Sequence, residues 1–223
     1  MTPGDLDYLR YVSATGLLRG PVLEIGARAW QEEGNASGVC RELGLEWQGA
    51  DLEPDGEEIL RLDILDDDQV SRLSRTWPTV LLFNLLEHVY DPVAALRNAM
   101  RLVSPGGVCT VVSPTVWQIH DFPSDYWRPL PDFYTRFANV EGHELLERSA
   151  RWIVGRRLVP MSAMVEHGQK LLPSKQSDSA YSNKYHGLYS RVIHRIFNTN
   201  GRSLFFPYCA FGVAMRRVDP HSR

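Results

Sequence analysis

The side chains able to do chemistry in this sequence cluster at the ends of its apolar runs. Glu24 and Gly26 lie at the end of Val22 to Gly26, and Asp51 follows Leu45 to Ala50. Asp63 and Ile64 close Ile59 to Ile64; Asn84, Glu87 and His88 follow Thr79 to Phe83; Ser113 ends Val108 to Ser113. A carboxylate beyond the second run can accept both hydroxyls of a ribose, and a glycine beyond the first lets backbone approach a ligand closely. These features describe a nucleoside site without choosing between a nicotinamide and another adenosine-bearing cofactor. The glycine loop narrows that choice. A dinucleotide site uses GxGxxG to hold a pyrophosphate at a helix N-terminus, whereas this chain has Gly26-Ala27-Arg28-Ala29. A nicotinamide-dependent oxidoreductase or epimerase is thereby disfavoured, and no suitably placed TyrxxxLys pair supports one.

A second group lies on Val116 to Arg128, which is aromatic, acidic and histidine-bearing, holds Pro123 and is followed by Pro129, and reads as an exposed loop. His120 and His88 are the candidate catalytic bases; each has a bland alternative as a pocket-lining or locally hydrogen-bonded imidazole. Asp121 would face the substrate entrance. Asp125 could contact substrate or form a loop-stabilising pair with Arg128. Trp117, Tyr126 and Trp127 could wall a sugar face or a cation, or serve as packing anchors. His167 and Glu166 lie further on and could reach substrate, while His186 and His194 read as solvated helix residues. Asp66-Asp67-Asp68 fits the first turn of a helix, where anions complement the dipole, and no metal is expected. Cys40, Cys109 and Cys209 lack metal-ligand or disulfide spacing and suit a reducing compartment.

These residues need a frame, and the hydrophobic pattern supplies one. Apolar spacing predicts helices over Gly4 to Leu18, Glu32 to Leu43, Asp66 to Arg75, Pro92 to Val103 and Pro131 to Val140, with another over Tyr185 to Phe197. The runs named above alternate with them as strands, Glu144 to Val154 reads as a sixth strand and Pro207 to Val218 as a closing one. The continuous run Thr79 to Phe83 marks a strand buried on both faces of a parallel sheet. Asp91-Pro92 caps the helix that follows, and Ser104-Pro105-Gly106-Gly107 ends it. This rhythm argues for right-handed βαβ units in an α/β, doubly wound sheet.

The 223 residues are 43% hydrophobic and 23% charged, which suits one globular domain and excludes wholesale disorder. No run approaches the roughly 20 apolar residues of a membrane span, and the N-terminus reads as no secretory signal, so a cytoplasmic protein is expected. Net charge is -3 and the isoelectric point about 6.2, against a nucleic-acid partner. Only three of 24 basic residues are lysine, a bias read as genomic.

VLEIGAR, GADLEPD, LDILDDD, LLFNLLEHVYDPVAALRNAMRLVSPGGV and the following SPT resemble successive motifs of the class I S-adenosylmethionine-dependent methyltransferases, and HDFPSDYWRPLPDFYTRF resembles a segment of small-molecule members that tailor sugars and natural products. The resemblance spans Pro21 to Val140. It implies a Rossmann-like seven-stranded sheet of order 3-2-1-4-5-7-6 with the last strand antiparallel. It places Glu24 and Gly26 beside the methionine part of S-adenosylmethionine, Asp51 on the ribose, Leu52, Asp63 and Ile64 around the adenine, and Asn84 and Leu85 beside the sulfonium. Arg28 stands where the family usually has glycine; its loop must differ in shape, and its guanidinium is expected to pair with the cofactor carboxylate. The expected organisation is a single domain over 1–223 with an N-terminal helix in 1–20 and a lid-like insert over 155–202. The expected reaction is methylation of oxygen or nitrogen on a small polar metabolite such as a sugar or aminocyclitol, by a monomer or homodimer. A non-catalytic scaffold of the same fold is the rival.

Overall fold

A computed structural model describes residues 1–28, 34–117, 119–120, 123–162 and 209–218. Helix α1 spans Pro3–Ala14, and the Thr2 hydroxyl caps it while Asp5 reaches back to the Thr2 backbone N–H at 2.7 Å. This reciprocal box satisfies two amides left without partners at the first turn. Strand β1 is Val22–Ile25, helix α2 Ser37–Glu42, strand β2 Trp47–Asp51, strand β3 Ile59–Arg61 and helix α3 Asp67–Arg72. Next come β4 over Trp77–Phe83, α4 over Pro92–Leu102, β5 over Val103–Val116, α5 over Pro131–Glu141, β6 over Glu144–Leu145, β7 over Arg151–Val154, β8 over Arg157–Pro160 and β9 over Cys209–Arg216.

The sheet runs β3-β2-β1-β4-β5-β9-β7-β8, with β6 paired to β9 off that path. The first five are parallel, and β9 is antiparallel to both β5 and β7. This is the expected order 3-2-1-4-5-7-6, with β7 as its sixth strand, β9 as its antiparallel seventh, and β8 added at the edge as the second arm of a hairpin. Side chains of β4 alternate between two cores. Leu81 and Phe83 pack with Tyr8, Leu9 and Val12 of α1 on one face, while Val80 and Leu82 pack with Leu96 and Met100 of α4 on the other. Both faces are dry, which is why the strand reads as an unbroken apolar run.

Several boundaries differ from the sequence reading, β5 beginning at Val103 among them, and three have a plain physical reason. Glu144 to Val154 is two strands, because Glu147–Ser149 closes a tight helical turn in which the buried Ser149 hydroxyl donates to Leu146 O. Strand β5 runs through Pro114 because its ladder to β4 ends at Val112 while its pairing with β9 continues to Val116, so the proline interrupts no bond on the β4 side. Helix α1 stops at Ala14, where Gly16 takes a positive φ of 74°. The helix expected over Tyr185 to Phe197, and the expected insert beyond its first hairpin and Met161, lie outside the described residues. No helix among the described residues is long and apolar enough to cross a membrane.

Candidate active site

A cleft of about 1130 Å³ opens at the carboxyl ends of β1, β2 and β4. Small-ligand pockets run to roughly 300–1,000 Å³, so the cleft has room for more than one small molecule. Of the residues expected to bind cofactor, Glu24, Gly26, Arg28, Asp51, Leu52, Asp63, Ile64, Asn84 and Leu85 all line it.

Each strand tip makes its contribution through local bonding. Gly26 has φ of 81°, and an added Cβ would stand 3.2 Å from the Leu85 side chain; the glycine keeps the floor between β1 and β4 open. Asp51 uses one carboxylate oxygen on the Arg28 backbone N–H at 3.0 Å and the other on the Glu53 N–H at 2.9 Å. Its carboxylate is thus fixed at the rim of the cleft, where the remaining lone pairs suit a ribose diol. Beside it Leu52 is 56% exposed, an apolar flank for a base. Asp63 accepts from Leu65 N at 2.9 Å, and Asn98 Nδ2 donates to Ile64 O. A fixed acidic group and an apolar flank at the cleft rim, with one glycine in Gly26-Ala27-Arg28-Ala29, are compatible with an adenosyl ligand.

Two cofactor candidates are engaged within the protein. Glu24 is buried; its Oε2 accepts from Ala36 N at 2.9 Å and Trp47 Nε1 at 2.8 Å, and burial raises its pKa to about 7. It braces Ala36 and Trp47 behind the tip of β1. The Arg28 guanidinium pairs with the Glu53 carboxylate at 2.5 Å, on the Asp51 side of the cleft, and Arg28 has no positive φ.

Asn84 is the one non-glycine residue with positive φ among those described, at 51°; its short polar side chain tolerates that region. Its backbone N–H extends the ladder to Val112 O, and its Nδ2 donates to Asp5 Oδ2 at 2.9 Å. The N-terminal turn of α1 therefore forms part of the cleft wall, with Thr2, Gly4 and Asp5 lining it. The amphipathic spacing of α1 points only to packing; the T-x-x-D capping signature at Thr2 is the local signal that ties its first turn to the cleft.

Beyond Asn84 the chain winds one tight turn through Leu86–His88. Glu87 is fully buried with neither carboxylate oxygen hydrogen-bonded, and desolvation raises its pKa to about 8. His88 Nδ1 bonds Ser124 O at 2.7 Å, and the His88 and His120 rings meet edge to face at 4.8 Å. Asp125 accepts the His120 backbone N–H at 2.9 Å and a guanidinium bond from Arg128 at 2.7 Å. That arginine holds the carboxyl well below the ordinary range.

His88, His120 and Trp117 line the cleft. Asp125 is instead the loop-stabilising pair with Arg128. Tyr126 and Trp127 are partly exposed and turned toward Tyr90: the Tyr126 ring meets Tyr90 edge to face at 5.8 Å and Trp127 Nε1 donates to Tyr90 O at 3.2 Å. Neither is among the cleft residues, since the loop spends them on its own packing. Asp121 and His167 lie outside the described residues. Glu87 follows the fourth strand, and the sequence assigns it no role because nothing local marks its burial.

Fold and cleft together give an α/β domain whose cleft, at the strand tips, is lined by two imidazoles and a buried carboxyl. The sequence profile of the Methyltransferase domain family matches residues 6–152, and the chain belongs to that family. It is an S-adenosylmethionine-dependent methyltransferase. Among solved structures it is similar in fold to a SAM-dependent methyltransferase from Archaeoglobus fulgidus, at 16% identity and TM-score 0.54, over 96% of this chain and 94% of that one. It is similar to phosphoethanolamine N-methyltransferase 2 of Haemonchus contortus, solved with phosphomonomethylethanolamine and S-adenosylhomocysteine, at 14% identity and TM-score 0.51, over 95% of this chain and 52% of that one. The cyclase SpnF is similar too, at 14% identity and TM-score 0.53, over 95% and 80%. No curated protein matches it in sequence.

Proposed function

We propose that this chain, acting as one cytoplasmic catalytic domain, methylates oxygen or nitrogen of a small polar metabolite, of the sugar or aminocyclitol class met in natural-product tailoring. The observation carrying this reading is the polar cluster Glu87, His88 and His120 on the cleft beyond Asn84 and Leu85. Bound S-adenosylmethionine supplies an electrophilic methyl, so the protein has chiefly to hold the acceptor in line and keep water out. Asp51 fixes the ribose, Leu52 and Ile64 flank the adenine, and Asn84 and Leu85 border the sulfonium. His120 and His88 then meet the acceptor: a hydroxyl gives its proton to an imidazole, an assistance of roughly 10²–10⁴-fold, and an amine is oriented by the same groups. Trp117 walls the acceptor side.

Labelled-methyl transfer to a panel of sugars, aminocyclitols, phenols and amino acids tests it. Label in a sugar or aminocyclitol is the expected result; label only in an apolar phenol overturns the substrate class. SpnF, a cyclase by name with a similar fold, is a reminder that fold alone does not fix a reaction. Uptake of S-adenosylhomocysteine with no label transferred to any acceptor would favour the scaffold reading.

A further inference from the structure

Glu87, His88 and His120 each bring a ligand atom to one spot, all within 4.8 Å of one another. Two donors facing each other across a zinc-sized ion stand at most about 4.2 Å apart, given metal–ligand distances near 2.1 Å. Glu87 Oε1 and His88 Nε2 already meet that limit at 3.9 Å, and a side-chain shift under about an ångström brings the third into range. We propose that this cluster binds one first-row divalent transition ion, held by the Glu87 carboxylate and one ring nitrogen each of His88 and His120, with its open positions facing the cleft.

Three independent features support the site. Glu87 is a fully buried carboxyl with neither oxygen hydrogen-bonded, and a buried polar group left unmatched is costly. A cation is the partner that satisfies it. The imidazoles are oriented as ligands: because Ser124 O can only accept, His88 Nδ1 is the donor in that bond, and Nε2 is the ring atom turned toward Glu87. His120 Nδ1 lies 3.3 Å from Asp125 Oδ2, and Arg128 holds Asp125 in turn. Outer carboxylate or carbonyl partners of this kind fix a ligating histidine's ring and tautomer. Finally, two imidazoles with one carboxylate suit zinc, cobalt, manganese or iron, in preference to magnesium or calcium. The expectation of no metal concerns Asp66 to Asp68 and the widely spaced cysteines. Asp66 indeed caps α3, and the present site is elsewhere.

Whether the ion binds does not depend on the proposed function; what it would do there does. With the ion bound, the two imidazoles would serve as ligands in place of bases: the ion would draw an acceptor oxygen to itself, ease loss of its proton and orient it toward the sulfonium end, which favours vicinal hydroxyl or hydroxy-carbonyl acceptors over isolated amines.

Cobalt is the probe. The full chain is stripped with chelator and titrated with Co²⁺ alone, following visible absorption and heat. One saturable equivalent, displaced by Zn²⁺ and weakened at least tenfold in both His120→Ala and Glu87→Gln, is expected, with thermal unfolding confirming that each variant is folded. No saturable uptake by the native chain, or uptake undiminished in folded His120→Ala, overturns the site. Failure of methyl transfer with cobalt bound would count against the proposed function and leave the site standing.

Discussion

Asn84 Nδ2 donates to Asp5 Oδ2 across 79 positions of chain at 2.9 Å, joining the tip of β4 to the first turn of α1. The same oxygen accepts the Thr2 backbone N–H, so one carboxylate caps a helix and steadies a strained strand tip. Replacing Asp5 with Ala leaves both donors unmatched. Loss of a cap costs about 0.5–2 kcal/mol, and an unmatched buried donor about 1–3 more. Asp5→Ala is therefore expected to lower the thermal midpoint by several degrees and to weaken S-adenosylhomocysteine binding about tenfold in calorimetry. A stability loss with unaltered affinity would separate α1 from the cofactor cleft.

Glu24 predicts a pH dependence. Burial raises its pKa from an ordinary 4.5 to about 7, so the native state holds the proton more tightly than the unfolded chain. Its contribution is full below about pH 4.5, declines as pH rises toward 7, and is constant above. The span amounts to about 3 kcal/mol at most. Glu24→Gln keeps an oxygen for Ala36 and Trp47 and removes the titration. Relative to it, native protein should lose stability between pH 5 and pH 8 in denaturant titrations; parallel curves for the two proteins would refute the assignment.

Much of this fold was legible because its signals are local. Thr79 to Phe83 is apolar on both faces and could only be an interior strand; Asp91 caps α4 through Val93 and Ala94 N–H as its Asp-Pro pair implies. The cleft carboxylates Asp51 and Asp63 were legible because strand tips in such sheets face the ligand. What stayed hidden depends on distant contacts. Nothing around Glu87 announces that Tyr126 N–H will bond its carbonyl and bring the aromatic loop over it. Tyr126 and Trp127 look like substrate walls until Tyr90 claims them, and Ser149 breaks a strand pattern only because its hydroxyl accepts from Ala214 N.

Arg28 offers a discriminating case. Its partner Glu53 has a side chain 70% exposed, and such surface pairs contribute about 0–1 kcal/mol. If the guanidinium stays with Glu53, Arg28→Ala changes S-adenosylhomocysteine affinity less than about threefold. A loss of tenfold or more by calorimetry would instead place the guanidinium on the cofactor carboxylate, with Glu53 as its resting partner.

Asp125 separates positioning from binding. Its side chain is 1% exposed and holds the His120 backbone and the Arg128 guanidinium together, yet it is absent from the cleft wall. Asp125→Ala should leave S-adenosylhomocysteine affinity within about threefold while lowering kcat by roughly 10–100-fold, since a small misplacement of a reacting group is costly. Asp125→Asn, which still accepts the His120 N–H, should recover part of that loss. Because Arg128 depresses the Asp125 pKa, the contribution is present above the ordinary carboxyl range and is lost only as pH falls through the depressed value. Loop order followed by Trp127 fluorescence should thus persist at pH 4 in the native chain. Equal losses of kcat and affinity in Asp125→Ala would mean that the loop shapes the cofactor end as well, and the division of labour argued here would fail.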